Sequence, residues 1–473
     1  MTNRKRILAA LALVFSLSLC VKQIELGYNN LHQKHFNSLL KSFFDTPIAI
    51  EYIGLNIIYL VWIVKSQKRI KNCNFKNILK TAFIFISIAF LGYPTTNDVY
   101  LYLQYGLMDL NGINPFIEAA GTFTSELSPL LYWKQTAAYG PISQLYFMIA
   151  SYFLSISLVF AVYIFKSLCL LMHTINSYLI WRQLKFSPYQ NWLTLAYLIN
   201  PELLFEQVTN AHVDVLLSTI LIILTAFLRH RYYSAGIIMI WLGFLTKTIP
   251  VIWLPLFVVF LIRQQSWKSI QFAFCISLVI FLILHFSILP TLDAWRSLLN
   301  PGVEGKTAGS LHNVFIAVLD ILPISSIQLK NMIISAFYLI SYIGFSLYYI
   351  WVLLKTYFKQ SYSEVNLIVN IGWVTLTLFL FATPWYQPWY TSILLAITAL
   401  NISYRRFVLI SLIFCITSNC SYYALGFDRT NLSGIVGSLL AVGPAIMVLL
   451  IEIKRHQRLN DANHKRSPSK YFM

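Results

Sequence analysis

Asp98 sits a few residues past an apolar segment, in the stretch GYPTTNDVYLYLQYGLMDLNGINPF that runs from Gly92 to Phe116. An acid at the mouth of a membrane helix is costly unless it is solvated or used. Its ordinary role would be to cap a short loop helix. Its chemical role would be to accept a proton. A second cluster, Glu202, Glu206, Asn210, His212 and Asp214, follows Asn200-Pro201. Spaced by four, Asn210 and Asp214 share one face of a helix, and Glu206 extends it. These groups lie too deep in the segment for a simple cap, so they line a site or knit helices together. Carboxylates and imidazole suit a divalent cation, but no spacing here compels one, and no metal ligand is assigned. Lys247 lies in a Thr246-Lys247-Thr248 break before Pro250. Broken membrane helices place charge in a cavity, where a lysine can meet a phosphate as a point charge; the alternative is a lysine reaching the headgroups. Trp385 and Tyr386 belong to the run TPWYQPWY, which is either an interfacial aromatic belt or a rigid wall for stacking on a ligand. Arg296, Lys306, His312 and Arg429 are further cations on the same face. No phosphate-binding loop, GxSxG or HExxH motif occurs.

These residues must be held by a membrane scaffold. Of 473 residues, 58% are hydrophobic and 11% charged, against about 25% charged in soluble domains. Mean hydropathy is +0.66. Many apolar runs reach about 18 residues, the length of a transmembrane helix, and strand-like alternation is absent. The net charge of +18 is assigned to the positive-inside bias of a membrane protein rather than to nucleic-acid binding. The six cysteines show no paired spacing, so neither a disulfide framework nor a CxxC site is implied. Arg4-Lys5-Arg6 followed by Ile7 to Cys20 reads as an uncleaved signal anchor.

Taken in order, the chain reads as about fourteen spans with both termini inside. The first three cover residues 7–24, 47–64 and 78–93. The basic segment Lys65, Lys68, Arg69, Lys71 and Lys76 fixes the second on the cytoplasmic side. Lys22, Lys34 and Lys41 are the main exceptions to the charge rule. Residues 94–138 form the first outer loop, with Asp98, Asp109, Glu118 and Glu126. Tyr139-Gly140-Pro141 opens an interfacial or re-entrant helix to Leu154. Spans at 157–181, 188–201, 205–228, 234–247, 250–262 and 270–289 lead to a second outer loop, 290–328. Spans at 329–354, 365–383, 389–402, 407–424 and 434–452 complete a membrane domain over residues 1–453. A basic cytoplasmic tail without regular structure follows at 454–473. Of the 17 acids, this topology leaves only Glu364, Glu452 and Asp461 inside, so the candidate functional acids share the outer face.

A family resemblance rests on these motifs. Asn97-Asp98-Val99-Tyr100, Tyr105-Gly106 and Gly112-Ile113-Asn114-Pro115-Phe116 resemble the first outer loop of GT-C polyprenyl-phosphate-mannose-dependent mannosyltransferases. Tyr139-Gly140-Pro141, Asn200-Pro201 with Asn210-Ala211-His212-Val213-Asp214, Lys247-Thr248-Ile249-Pro250 and Pro384-Trp385-Tyr386 follow in the family's order. The resemblance implies an all-α GT-C bundle of about 13–14 membrane helices in the cell membrane. It implies transfer of a hexose, mannose first, from a polyprenyl-phosphate carrier to a lipid or glycan acceptor on the extracytoplasmic face. It implies Asp98 as general base. Asn97, Tyr139, Asn210, His212, Asp214, Lys247, Arg296, His312, Trp385 and Tyr386 are the expected substrate-binding residues, without a resident cofactor, although a divalent cation stays open. Two features depart from the family: an extra helix precedes the Asp98 loop, and Asn97 stands where a second acid is common, which speaks against a metal at Asp98. The competing readings are a lipid-linked-sugar flippase, with midplane charges and inverted repeats, and an oligosaccharide polymerase or ligase relying on outer-loop arginines.

Overall fold

The computed structural model describes residues 3–32, 48–66, 74–299, 306–324, 326–428, 430 and 432–465. Lys34, Lys41, Lys68, Arg69, Lys71, Cys73, Glu304, Arg429 and residues 466–473 lie outside that set. The described chain is helical, with two isolated bridges and no longer strand. Its first helices are α1 (Asn3–His32), α2 (Ala49–Ser66), α3 (Phe75–Leu91) and α4 (Asp98–Leu110). Next come α5 (Pro141–Ser151), α6 (Leu158–Gln183), α7 (Gln190–Leu198) and α8 (Pro201–Leu203), then a π-helix at Leu204–Thr209. They are followed by α9 (Asp214–Arg229), α10 (Tyr233–Phe244), α11 (Trp253–Arg263) and α12 (Trp267–Ile283). The second half holds α13 (Leu292–Leu299), α14 (Leu311–Ile321), α15 (Ile327–Phe358), α16 (Glu364–Thr377), α17 (Ser392–Leu400), α18 (Arg405–Leu425) and α19 (Leu432–Lys465).

Among the described residues eight helices are long and apolar enough to cross a membrane, so the chain is a polytopic membrane protein. The other expected spans fall on shorter or interrupted helices. At 1.5 Å per residue, the 12 residues of α10 rise only about 18 Å, short of a core roughly 30 Å thick. The expected continuous helix at 205–228 is one such case. Between the π-helix and α9 the backbone leaves the helix, and Ala211 takes φ +56°. Two further expectations change. The expected loop at 290–328 carries α13 and α14. The tail beyond Lys454 continues α19 as far as Lys465.

Basic helix ends gather at one end of the bundle. Arg229 donates to the Leu400 carbonyl, and Arg263 donates to the carbonyls of Thr356, Tyr357 and Gln360. Arg231 faces Glu364, and Arg406 faces Glu452. The Arg229 and Arg263 bonds satisfy carbonyls that the helix C-termini leave open.

The largest core packs α9, α10 and α11 against α16, α17 and α18, around Trp253, Phe257, Phe260 and Phe414. A second core lies under the 94–138 loop. That loop is ordered by buried bonds: the Gln104 amide donates to the Ala120 and Phe123 carbonyls, and the Tyr105 hydroxyl reaches the Gln135 and Thr136 carbonyls. Asn114 donates to the Ile288 carbonyl, and Ser297 of α13 to the Ala137 carbonyl. The loop is thereby tied to the π-helix Leu284–Ile288 that follows α12 and to α13, and α4 is laid against α5.

Candidate active site

Asp98 is the first residue of α4. A carboxylate there meets the positive end of the helix dipole. Its Oδ2 lies 3.4 Å from His212 Nδ1, and His212 Nε2 lies 3.3 Å from Glu206 Oε2. The Tyr102 hydroxyl stands 3.4 Å from the same Nδ1 and 3.3 Å from the Tyr139 hydroxyl. The His212 ring lies flat on Trp389, with centroids 4.0 Å apart and planes at 9°. One imidazole is thus flanked by two carboxylates, within hydrogen-bond reach of a phenol and covered by an indole face.

The helix break builds this arrangement. The π-helix and the left-handed Ala211 replace the regular spacing that the sequence reading assumed, so Asn210 and Asp214 do not share a face of one helix. They meet the site separately. Asn210 accepts from both the backbone N–H and the hydroxyl of Thr95, each at 2.9 Å, and donates to Tyr423 and Glu206. It thereby anchors the segment that enters Asp98. Tyr423 donates to the other oxygen of Glu206 at 2.8 Å. π-Type insertions recur at functional sites, and a left-handed alanine costs of order 1 kcal/mol unless its surroundings hold it.

Asp214 accepts from Lys247 through both carboxylate oxygens, at 2.9 and 3.0 Å. The ammonium sits 3.9 Å from the Tyr390 ring centroid and 5.5 Å from that of Tyr139. Tyr139 bridges Lys247 through the backbone. Gly140 donates to the Thr246 carbonyl, and Ser143 adds a second bond to it. A Cβ at Gly140 would stand 2.2 Å from the Leu245 carbonyl oxygen, so the Tyr139-Gly140-Pro141 motif is a close docking of α5 onto the end of α10.

Access separates the roles. The Asp98 and Lys247 side chains are 12% and 9% exposed, whereas His212, Glu206 and Asp214 are at most 1%. The first two can touch a substrate, and the others hold them. Burial pushes the Asp98 carboxyl above its usual range, with His212 and then Lys247 offsetting the shift. Asn97 is buried beside it, and its side-chain amide nitrogen has no hydrogen-bond partner within the protein.

The remaining expected residues lie apart from this cluster. Tyr386 is fully buried and bonds Ser418, so it is core rather than wall. The neighbouring Trp389-Tyr390 pair, carried on the turn that Pro388 opens before α17, reaches the cluster instead. The Pro-Trp-Tyr triplet occurs twice, and it is the second copy whose Trp389 meets the imidazole. Trp385 is half-buried, edge-to-face with Trp133 at 5.3 Å, while exposed Lys306 stands 3.9 Å over the Trp133 ring. Arg296 is exposed on α13. His312 is buried against Phe337, Tyr338 and Tyr342 of α15. Tyr102 and Tyr423 were missed because nothing local distinguishes them from core tyrosines. Among the described residues no three His, Cys, Asp or Glu side chains group as metal ligands.

The family model for the N-terminal domain of alpha-(1->6)-mannopyranosyltransferases matches residues 8–263. That match runs from within α1 to the end of α11 and includes Asp98, Glu206, His212, Asp214 and Lys247. No curated protein matches the chain.

Proposed function

The chain belongs to the alpha-(1->6)-mannopyranosyltransferase family, and from that premise we propose that it moves a mannosyl unit from a polyprenyl-phosphate carrier to a hydroxyl of a lipid or glycan acceptor. A mannosyltransferase embedded in a membrane by many helices is what the family and the fold establish. The donor, the extracytoplasmic face of the cell membrane and the role of Asp98 are the proposal.

The observation that carries it is that Asp98 is the most exposed carboxylate of a buried ionisable cluster. The acceptor oxygen bonds to the sugar C1 while its proton passes to Asp98. The C1–O bond to phosphate breaks, and polyprenyl phosphate leaves with the electron pair. His212, stacked on Trp389 and backed by Glu206, holds the base and favours its ionised form. The charge of Lys247 is already matched by Asp214. Its free N–H, framed by Tyr139 and Tyr390, serves a sugar hydroxyl in this reading. Trp385 with Trp133 offers aromatic faces for the acceptor sugar, and Lys306 and Arg296 supply positive charge outside them. The reaction needs no resident cofactor, and the expected result is transfer insensitive to EDTA.

The test uses the full chain in nanodiscs with polyprenyl-phosphate mannose. Asp98→Asn should lower kcat by about 10²–10⁴-fold, the range of general-base catalysis, with donor binding retained. Full transfer by that variant would remove Asp98 as the base.

A further inference from the structure

Two short segments flank the Asp98–His212 pair. Residues 95–97 lead into α4, and residues 387–391 form the turn ahead of α17. The pair joins them: Asp98 Oδ2 lies 3.4 Å from His212 Nδ1, and the His212 ring lies 4.0 Å from that of Trp389. Each segment is fixed from outside. Thr95 is pinned by Asn210. Thr391 donates to Glu202, and Asn419 donates to the Pro388 carbonyl. In front of the turn, the Tyr390 ring meets the Lys247 ammonium at 3.9 Å.

Both segments carry polar atoms left without partners. Among the described residues nothing bonds Thr96 Oγ1 or Asn97 Nδ2 on the first, nor Gln387 Oε1 or Trp389 Nε1 on the second. These four residues are only 7–9% exposed, close to Asp98 and Lys247, the two groups that can touch a substrate. A buried donor or acceptor without a partner is destabilising, and most such groups in proteins are paired. Four of them gathered on either side of a reactive pair point to a ligand that pairs them.

Their chemistry narrows the ligand. Asn97 Nδ2 and Trp389 Nε1 only donate, Gln387 Oε1 only accepts, and the Thr96 hydroxyl does either. A phosphate dianion offers acceptors alone and would set its oxygens against Gln387 Oε1. An isoprenoid chain offers neither. A sugar hydroxyl both donates and accepts, so a ring bearing several of them answers all four atoms.

We propose that residues 96–97 and 387–389 form the subsite that reads the hydroxyls of the transferred sugar, with Gln387 as its acceptor and Asn97 and Trp389 as its donors. The phosphate of the carrier then lies away from Gln387. That this sugar is passed on rests on the transferase reading; that the subsite binds it does not.

The experiment uses the full chain in nanodiscs with polyprenyl-phosphate mannose and its 2-, 3- and 4-deoxy forms. Dissociation constants are read without acceptor, and kcat/KM with it. Gln387→Met keeps the length of the side chain and removes the acceptor atom. It should weaken binding of the full mannosyl lipid about 10–100-fold. It should leave unchanged the binding of the one deoxy form that lacks the hydroxyl held by Gln387. An equal loss for all four lipids would mean a packing role, and no loss for any would put Gln387 outside the site; either overturns the proposal. Should Gln387→Met not fold, Asn97→Ala is compared on the same four lipids, and an equal loss or none again overturns it. Discrimination by a chain that transfers no sugar would defeat the transferase reading and leave this one standing. Transfer without discrimination would do the reverse.

Discussion

Lys247 donates to both carboxylate oxygens of Asp214, at 2.9 and 3.0 Å, in an ion pair almost closed to solvent. Removing one partner of such a pair leaves the other charge buried and unmatched, at a cost of about 3–5 kcal/mol. Lys247→Met alone should therefore lower the thermal midpoint strongly in detergent or nanodiscs. The double variant Lys247→Met with Asp214→Asn should recover most of that loss while staying poor in transfer. Equal midpoints for the single and double variants would show that the pair does not act as a unit.

Burial raises the Asp98 carboxyl, and a general base must be ionised to act. Activity should rise with pH through a limb above the ordinary carboxylate value of about 4. His212 offsets part of the rise, so His212→Gln should move the limb to higher pH as well as lower the maximum. Profiles of kcat/KM against pH for the two proteins check this. A limb that does not move would take His212 away from the base.

Gly140→Ala sets a methyl group against the Leu245 carbonyl oxygen. Backbone must shift, and overpacking of this kind costs roughly 1–3 kcal/mol. The bridge between Tyr139 and Lys247 should loosen, with KM for the donor rising. Gly112 gives the contrast: its φ is +74°, but a Cβ there meets nothing within 4 Å. Gly112→Ala should cost about 1 kcal/mol of local strain and leave kcat unchanged. Parallel kinetics and melting curves on the two variants separate these outcomes.

Asp109, near the far end of α4, is pushed up to about 7 by burial. Its folded value exceeds the unfolded one of about 4. The fold therefore disfavours its ionised form, and its contribution to stability falls as pH rises from about 4 through 7. Asp109→Asn should melt progressively higher than the unaltered chain across that window, with transfer intact. A variant that lost transfer would give Asp109 a part in the site.

Much of the fold was legible because membrane spans are written in composition. Runs such as those in α6, α12, α15 and α19 need only length and apolarity, and the basic ends at Arg229, Arg263 and Arg406 marked one side of the bundle. The motifs around Asp98, His212 and Lys247 were legible for a related reason: a polar residue inside an apolar run is costly enough to draw attention. Tyr386 and Trp389 show the limit. Both belong to identical Pro-Trp-Tyr triplets, and only the turn ahead of α17 decides which copy meets the imidazole.

By itself the sequence determined the membrane class, the order of the helices and the chemical types assembled around Asp98. The tertiary structure alone decided how those types divide the work. Local patterning assigned Asn210 and Asp214 to one helix face, but the π-helix and Ala211 break that helix. Asn210 then clips Thr95 while Asp214 neutralises Lys247. Helical period describes a continuous backbone, whereas burial and pairing depend on segments far apart in the chain. For that reason Asp98, the least enclosed carboxylate of the cluster, and the matched lysine at 247 could be told apart from their fully buried neighbours only in three dimensions.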